Sequence, residues 1–195
     1  DTDRSRGLGD VYKRQIKGCA ELLPGEEKKS RKDEYAENIL HSSDYMIGLV
    51  NTLIGFYLLD TGRNKPILSI FRLETLFSET ARNYGSLAKK KKLRLTTAFS
   101  GLDVVVSCDR SQLQQILNNL LSNAIKFTPR GGAIALTSHT EGNKVFVTVR
   151  DTGCGMDAQS QQKMFEKFYQ GDPSHAVEGN GLGLALVKKV LEIVN

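Results

Sequence analysis

SQLQQILNNLLSNAIKFTP, residues 111–129, has the spacing of an amphipathic helix. Leu113, Ile116, Leu117, Leu120, Leu121 and Ala124 recur at helical intervals and cover one face. Asn119, Asn123 and Lys126, at i, i+4 and i+7, line up on another face, each about one turn from the next. A solvated face is ordinarily built from Glu, Lys or Gln. Asparagine costs up to about 0.7 kcal/mol per position against alanine, and this helix carries three. Two readings stand side by side: a surface face rich in amides, or an amide-plus-lysine face that meets a metal–phosphate ligand. The second has a chemical basis, because amide oxygens coordinate hard cations and an ammonium holds a phosphate as a point charge.

Outward from this helix the period changes on both sides. Upstream, 104–107 reads as a short buried strand that delivers Asp109 to the helix start, 93–99 alternates, 73–90 is helical, and Leu68, Ile70 and Phe71 are strand-like. Downstream, Arg130-Gly131-Gly132 is a turn, and the alternating runs 133–140 and 144–150 form a hairpin across Glu141-Gly142-Asn143. Helices mixed with mostly antiparallel strands predict an α+β fold whose core is a two-layer α/β sandwich with a mixed sheet. Further upstream, Asn64-Lys65-Pro66 reads as a linker. Before it, a helix over 33–59 carries Ile39, Met46, Leu49, Leu53 and Phe56 at bundle spacing, and 16–23 is an apolar helical fragment stopped by Pro24 and Gly25. Such a helical hairpin has too little core alone, which predicts a homodimer with a four-helix bundle. Residues 1–15, polar and without a sustained apolar stripe, are expected to be irregular.

Composition narrows the function classes. With 39% hydrophobic and 25% charged residues the chain is an ordinary globular protein. Lys+Arg 27 against Asp+Glu 22 gives a formal charge of +5, spread out apart from the run 89–92, and no aromatic residues interleave that run; no nucleic-acid partner is expected. The most apolar stretch, 46–59, is short and broken by Gly48, Asn51, Thr52 and Gly55, so no membrane contact is expected within this fragment. Cys19, Cys108 and Cys154 have neither metal spacing nor a pairing pattern, and reduced thiols are the default.

Three further motifs carry chemistry. Asp151-Thr152-Gly153-Cys154-Gly155 follows the second hairpin strand. A strand-end carboxylate followed by glycines can hold a base amino group while the backbone approaches closely, or can be a plain turn. Phe165-Glu166-Lys167-Phe168 precedes a long polar loop, 169–180, that reads as a lid. Gly179-Asn180-Gly181-Leu182-Gly183-Leu184 opens the last helix, where free N–H donors suit phosphates.

In this order the motifs closely resemble the ATP-binding kinase core of bacterial sensor histidine kinases, within the superfamily that includes gyrase, Hsp90 and MutL. Residues 115–129 look like the family's N-box, 151–155 its G1 box, 165–168 its F-box and 179–184 its G2 box. The resemblance covers roughly 16–195. It implies that Asn123 ligates Mg²⁺, that Asn119 and Lys126 face the phosphates, and that Asp151 accepts from the adenine amino group. It places Gly153, Gly155, Phe165, Phe168, Gly179, Gly181, Leu182 and Gly183 around ATP. The superfamily's hydrolysing members carry a glutamate one turn before the metal-binding asparagine; here that place holds Asn119, and an amide cannot act as general base. The resemblance therefore implies transfer of the γ-phosphoryl to a histidine and then to an aspartate of a response-regulator receiver domain, rather than ATP hydrolysis driving a clamp. It also implies a cytoplasmic location, as the inner part of a membrane-anchored sensor where such an anchor exists.

The pattern breaks upstream. The expected position of the acceptor histidine is Gly7, with Leu8 and Tyr12 where an acidic residue and a proline belong. Residues 1–15 accordingly read as a non-family, artefactual stretch, 16–62 as a dimerisation hairpin whose acceptor segment is missing, and 65–195 as an ATP-binding domain truncated at its C-terminus. His41, His139 and His175 are expected in ordinary surface or core roles. The chain as written is expected to bind Mg-ATP without labelling itself. The alternative is a nucleotide-binding and dimerisation module without kinase activity.

Overall fold

The structure, a computed structural model, describes residues 2–61, 66–100, 104–171 and 181–194. It opens with two long helices, α1 (Thr2–Leu22) and α2 (Lys29–Asp60), joined by a 3-10 turn over Leu23–Gly25 with Pro24 at its start. Tyr12 stacks on Tyr45 with ring centroids 4.0 Å apart, and Ser42 Oγ donates to Gln15 Oε1 at 3.5 Å. Pairing 12 with 45 and 15 with 42 is the antiparallel register of a hairpin. The stretch expected to be irregular is thus helical from Thr2 onward, and α1 passes Gln15 without a break. The physical reason is tertiary: Tyr12 is buried against α2, a contact that local apolar periodicity does not announce. Ile39, Met46, Leu49 and Leu53 are half-buried and Phe56 is buried, as their spacing predicts.

The second half is two layers. Strand β1 (Leu68–Arg72) pairs antiparallel with β3 (Val105–Asp109); β4 (Ala133–Glu141) runs parallel to β2 (Arg94–Phe99) and antiparallel to β5 (Lys144–Asp151). Helices α3 (Leu73–Lys90) and α4 (Arg110–Phe127) supply the other layer. Alternation in β4 sends Ile134 and Leu136 inward, where they meet Leu76 and Phe77 of α3 and Leu117 and Leu121 of α4, all fully buried. Each such side chain contributes about 1.5–3 kcal/mol by leaving water. After β5 come a short helix α5 (Ala158–Lys163) and α6 (Gly183–Val194). A second cluster joins Phe56 and Leu59 of α2 to Leu182, Ala185, Leu186 and Val190.

Both ends of α4 are fixed by side chains. At its N-terminus Asp109 accepts from Ser111 N–H at 2.9 Å, Ser111 Oγ at 2.6 Å, Gln112 N–H at 3.2 Å and Ile67 N–H at 2.9 Å. Burial alone pushes this carboxyl up, but those hydrogen bonds together outweigh it and hold Asp109 below the ordinary carboxylate value. At the C-terminus Lys91 Nζ donates to the carbonyls of Ile125 and Lys126, at 2.7 and 2.8 Å.

Candidate functional site

Helix α4 carries the amide-rich face between two glycine-bearing elements. Asn119 is half-buried, and its Nδ2 donates to Gln115 O at 3.0 Å. Its Oδ1 lies so close to Gly183 that a Cβ added there would come within 2.9 Å of it. Gly183 begins α6, whose first-turn N–H groups have no partner inside the helix. This edge of α4 therefore meets a set of backbone donors, and a larger residue than glycine there would have to push the Asn119 amide aside.

The other end of the face is closed by the strand end. Gly153 N–H donates to Asp151 Oδ1 at 2.8 Å, and a Cβ on Gly153 would meet that oxygen at 2.6 Å and Phe127 O at 2.8 Å. The turn after β5 thus packs its main chain directly on the last turn of α4, with the Asp151 carboxylate exposed at the rim. Asn123 and Lys126 lie between, both half-buried, with Lys126 Nζ 4.8 Å from the Phe127 ring centroid. From Asn119 to Phe127 the helix rises about 12 Å. Gly155 adopts a φ of +70° in open space, so backbone conformation accounts for that glycine.

Gly181 ties two motifs together. Its φ is +63°, a Cβ would lie 2.5 Å from Tyr169 O, and its carbonyl accepts from Phe168 N–H at 2.9 Å. Phe168 packs on the second cluster, whereas Phe165 is partly exposed with Lys188 Nζ 5.9 Å from its ring centroid. The Leu182 side chain is fully buried in that cluster, so only its main chain faces outward. Gly179, His175 and most of the expected lid lie outside the described residues, as do Asn64 and Lys65 of the expected linker. Gly7 stands within α1. His41 is exposed on α2 and His139 is exposed against Phe146, centroids 5.0 Å apart.

Sequence reasoning missed the roles of four residues. Lys91 caps α4 from inside a run that reads as solvated charge. Phe56 and Leu59 support α6 from more than a hundred residues away. Thr128, fully buried where α4 ends, has a hydroxyl without a hydrogen-bond partner among the described residues. Only Lys91 had a sequence signal, a lysine just beyond a helix end, and it did not specify which helix it would cap.

Comparison with known proteins bears on the same region. Residues 108–195 match the family described as histidine kinase-, DNA gyrase B- and HSP90-like ATPase. An uncharacterized sensor-like histidine kinase of Rhizobium meliloti is 34% identical over 184 residues, covering 91% of this chain and 35% of that protein. The chain thus spans about a third of that relative's length. Among solved structures, full-length ShkA in complex with AMPPNP is similar with a TM-score of 0.71 and 26% identity, over 97% of this chain and 40% of that one. The catalytic domain of the histidine kinase ThkA, in a nucleotide-free form, gives a TM-score of 0.58 and 28% identity, over 65% of this chain and 80% of that one. The chain belongs to the sensor histidine kinases, as a catalytic core with an ATP-binding domain of the histidine kinase, gyrase B and HSP90 type.

Proposed function

We propose that this chain binds Mg-ATP on the α4 face between Gly183 and Asp151, and works as the part of a two-component kinase that moves the γ-phosphoryl to a histidine nitrogen and then to a receiver-domain aspartate. The observation that carries the reading is the closure of Gly183 onto Asn119, which brings the open N–H groups of a helix start against an amide face. The donor set fits a metal–phosphate ligand. Among the described residues no three His, Cys, Asp or Glu side chains gather to hold a metal alone, so a cation here is one shared between phosphates and an amide oxygen, that of Asn123. Bound Mg²⁺ supplies charge neutralisation on the phosphates. Lys126 holds phosphate charge from one turn away, Asp151 accepts from the adenine amino group, and the main chain at Gly181, Leu182 and Gly183, leading into and starting α6, donates to phosphate oxygens. Asn119 orients and does not take a proton, which favours transfer to a side chain over activation of water.

The hairpin supports the dimeric part of the proposal. On α2, Leu40, Ile47, Val50, Ile54 and Tyr57 are 65%, 58%, 48%, 51% and 55% exposed, and they form a second apolar stripe one residue out of step with the one facing α1. A second copy covers that stripe in a four-helix bundle. Residues 16–62 then serve dimerisation and 65–195 serve nucleotide binding, in the cytoplasmic part of a sensor. Among the described residues no helix is long and apolar enough to cross a membrane.

Gly7 stands where the acceptor histidine belongs, and that observation favours a second reading, a nucleotide-binding module without self-phosphorylation. Phosphate incorporation from γ-labelled Mg-ATP tests both, comparing this chain with one whose residues 1–15 are replaced by a family-type acceptor segment. Acid-labile, base-stable label only in the second chain supports a competent core. No label in either, with nucleotide binding intact, supports the module. Asp151→Asn is expected to abolish nucleotide binding in equilibrium titration; unchanged affinity overturns the site.

A further inference from the structure

A groove of about 520 Å³ lies on the far edge of the sandwich, between α3 and β2, and shares no residue with the amide face of α4. Its floor is small and apolar: Ala81, Gly85 and Ala88 from the helix, Leu95 from the strand. Gly85 sits inside α3, the costliest ordinary place for glycine, yet a Cβ added there would meet nothing within 4 Å. No neighbour requires that glycine. What its missing side chain preserves is the open groove.

The strand beside the groove has a free edge. The three-stranded sheet has the order β2-β4-β5, and no strand among the described residues pairs with the outer side of β2. Arg94 N–H donates to Gly132 O and Ser100 N–H to Ser138 O, both at 3.0 Å, so the main-chain groups of 94, 96, 98 and 100 point toward β4. Those of Leu95, Thr97 and Phe99 consequently point away from it, at strand spacing. Leu95 and Thr97 also line the groove.

The rim is cationic. Arg82, Lys89 and Arg94 border the groove, and none makes an ion pair among the described residues; Glu79, the acid one turn before Arg82, is engaged by Arg110 at 2.5 Å. The lysine run 89–92 is thereby divided in function. Lys91 caps α4, Lys92 makes the turn with a φ of 59°, and Lys89 faces the groove.

We propose that this groove docks an extended acidic segment of a partner protein, which adds to β2 as an outer strand. The open N–H and C=O groups of Leu95 and Thr97 receive its main chain, the small apolar floor takes its inward side chains, and its carboxylates meet Arg82, Lys89 and Arg94. A second copy of β2 is a poor occupant, because it sets these cations against their own kind. A single-stranded nucleic acid is a poor one too, because no aromatic side chain lines the groove for bases to stack on.

The test uses the full chain with a capped octapeptide alternating glutamate and valine, a lysine–valine counterpart, and a single-stranded oligonucleotide. The glutamate peptide is expected to bind at low ionic strength and to slow amide exchange at Leu95 and Thr97 by about tenfold or more, leaving Thr96 and Ala98, which already face β4, unchanged. Gly85→Leu fills the groove while favouring the helix, and is expected to weaken binding by about tenfold or more with the circular dichroism spectrum intact. Thr97→Pro, which removes one outward N–H at an edge strand, is expected to do the same. Equal binding of the lysine peptide, tighter binding of the oligonucleotide, absence of slowed exchange at Leu95 and Thr97, or undiminished affinity in Gly85→Leu each overturns the proposal.

Discussion

The apolar cluster beneath the sheet and the apolar cluster at the end of α2 meet α4 from different directions, and they differ in what supplies them. The first draws on α3, α4 and β4, and β4 is held in turn by pairing with β2 and β5. The second joins α2 to α6, with Ile116 of α4 and Phe168 at its margin, and no residue in it comes from a strand. Its closure spans most of the chain, so its loss leaves the first cluster's pairings intact. The candidate site inherits this division. Asp151 and Gly153 rest on the end of α4 that the first cluster holds, whereas Gly181 and Gly183 ride on the element that the second cluster holds. The two ends of one site therefore answer to separate cores.

The largest effect expected is from Leu121→Ala, which opens a cavity where exposure is 0% and costs about 2–5 kcal/mol in thermal or denaturant unfolding. Both ends of the site go with it. Phe56→Ala sharpens the contrast: amide exchange in α6 is expected to rise by about tenfold or more while that in β4 stays unchanged, because a separable element opens locally. Equal acceleration in α6 and β4 shows instead that the clusters form a single cooperative unit, and the comparison fails.

Smaller changes probe the first cluster's attachment of α4. Lys91→Met removes two hydrogen bonds and a positive charge from the C-terminus of α4, and about 1–2 kcal/mol of stability is expected to be lost. The affected end is the one that carries Lys126 and meets Gly153, so nucleotide affinity is expected to fall with it. Gln112→Met works in the opposite sense. Gln112 is 4% exposed and both its amide atoms lack partners among the described residues, so an apolar side chain of similar length is expected to add about 1 kcal/mol, read as a higher melting temperature.

Much of this was legible in the sequence, and what was not has a common cause. The bounds of α3 and the β4–β5 hairpin follow from periodicity and turn residues, and the Asn119, Asn123, Lys126 face follows from spacing on one helix, because each is a property of contiguous residues. The helical course of 2–15 is not legible locally, because its stabilising contact, Tyr12 on Tyr45, joins residues on different helices. Leu182 reads as part of a phosphate loop, but its side chain is core, since the partners that bury it come from α2. The bond from Phe168 N–H to Gly181 O is main chain to main chain, and no choice of side chain encodes it directly.

The smallest effect concerns acid. Asp109 fixes the first turn of α4 and, through Ile67 N–H, the residue that leads into β1; its carboxyl is held below its ordinary value of 3.8 because the hydrogen bonds to its charged form outweigh burial. A carboxyl depressed in the folded state contributes stability that is complete above its unfolded value and is lost as pH falls through the lower folded one. Below about pH 4, therefore, exchange at the N–H groups of Ile67 and Ser111 is expected to accelerate. In α6, which packs on the apolar second cluster, it is expected to hold. Asp109→Asn keeps a capping side chain but removes the titration, so its exchange at those two positions should no longer change over that interval. Loosening of α6 in step with Ile67 under acid, in the native chain, shows that the two cores respond together to acid and removes the separation from which the other predictions start.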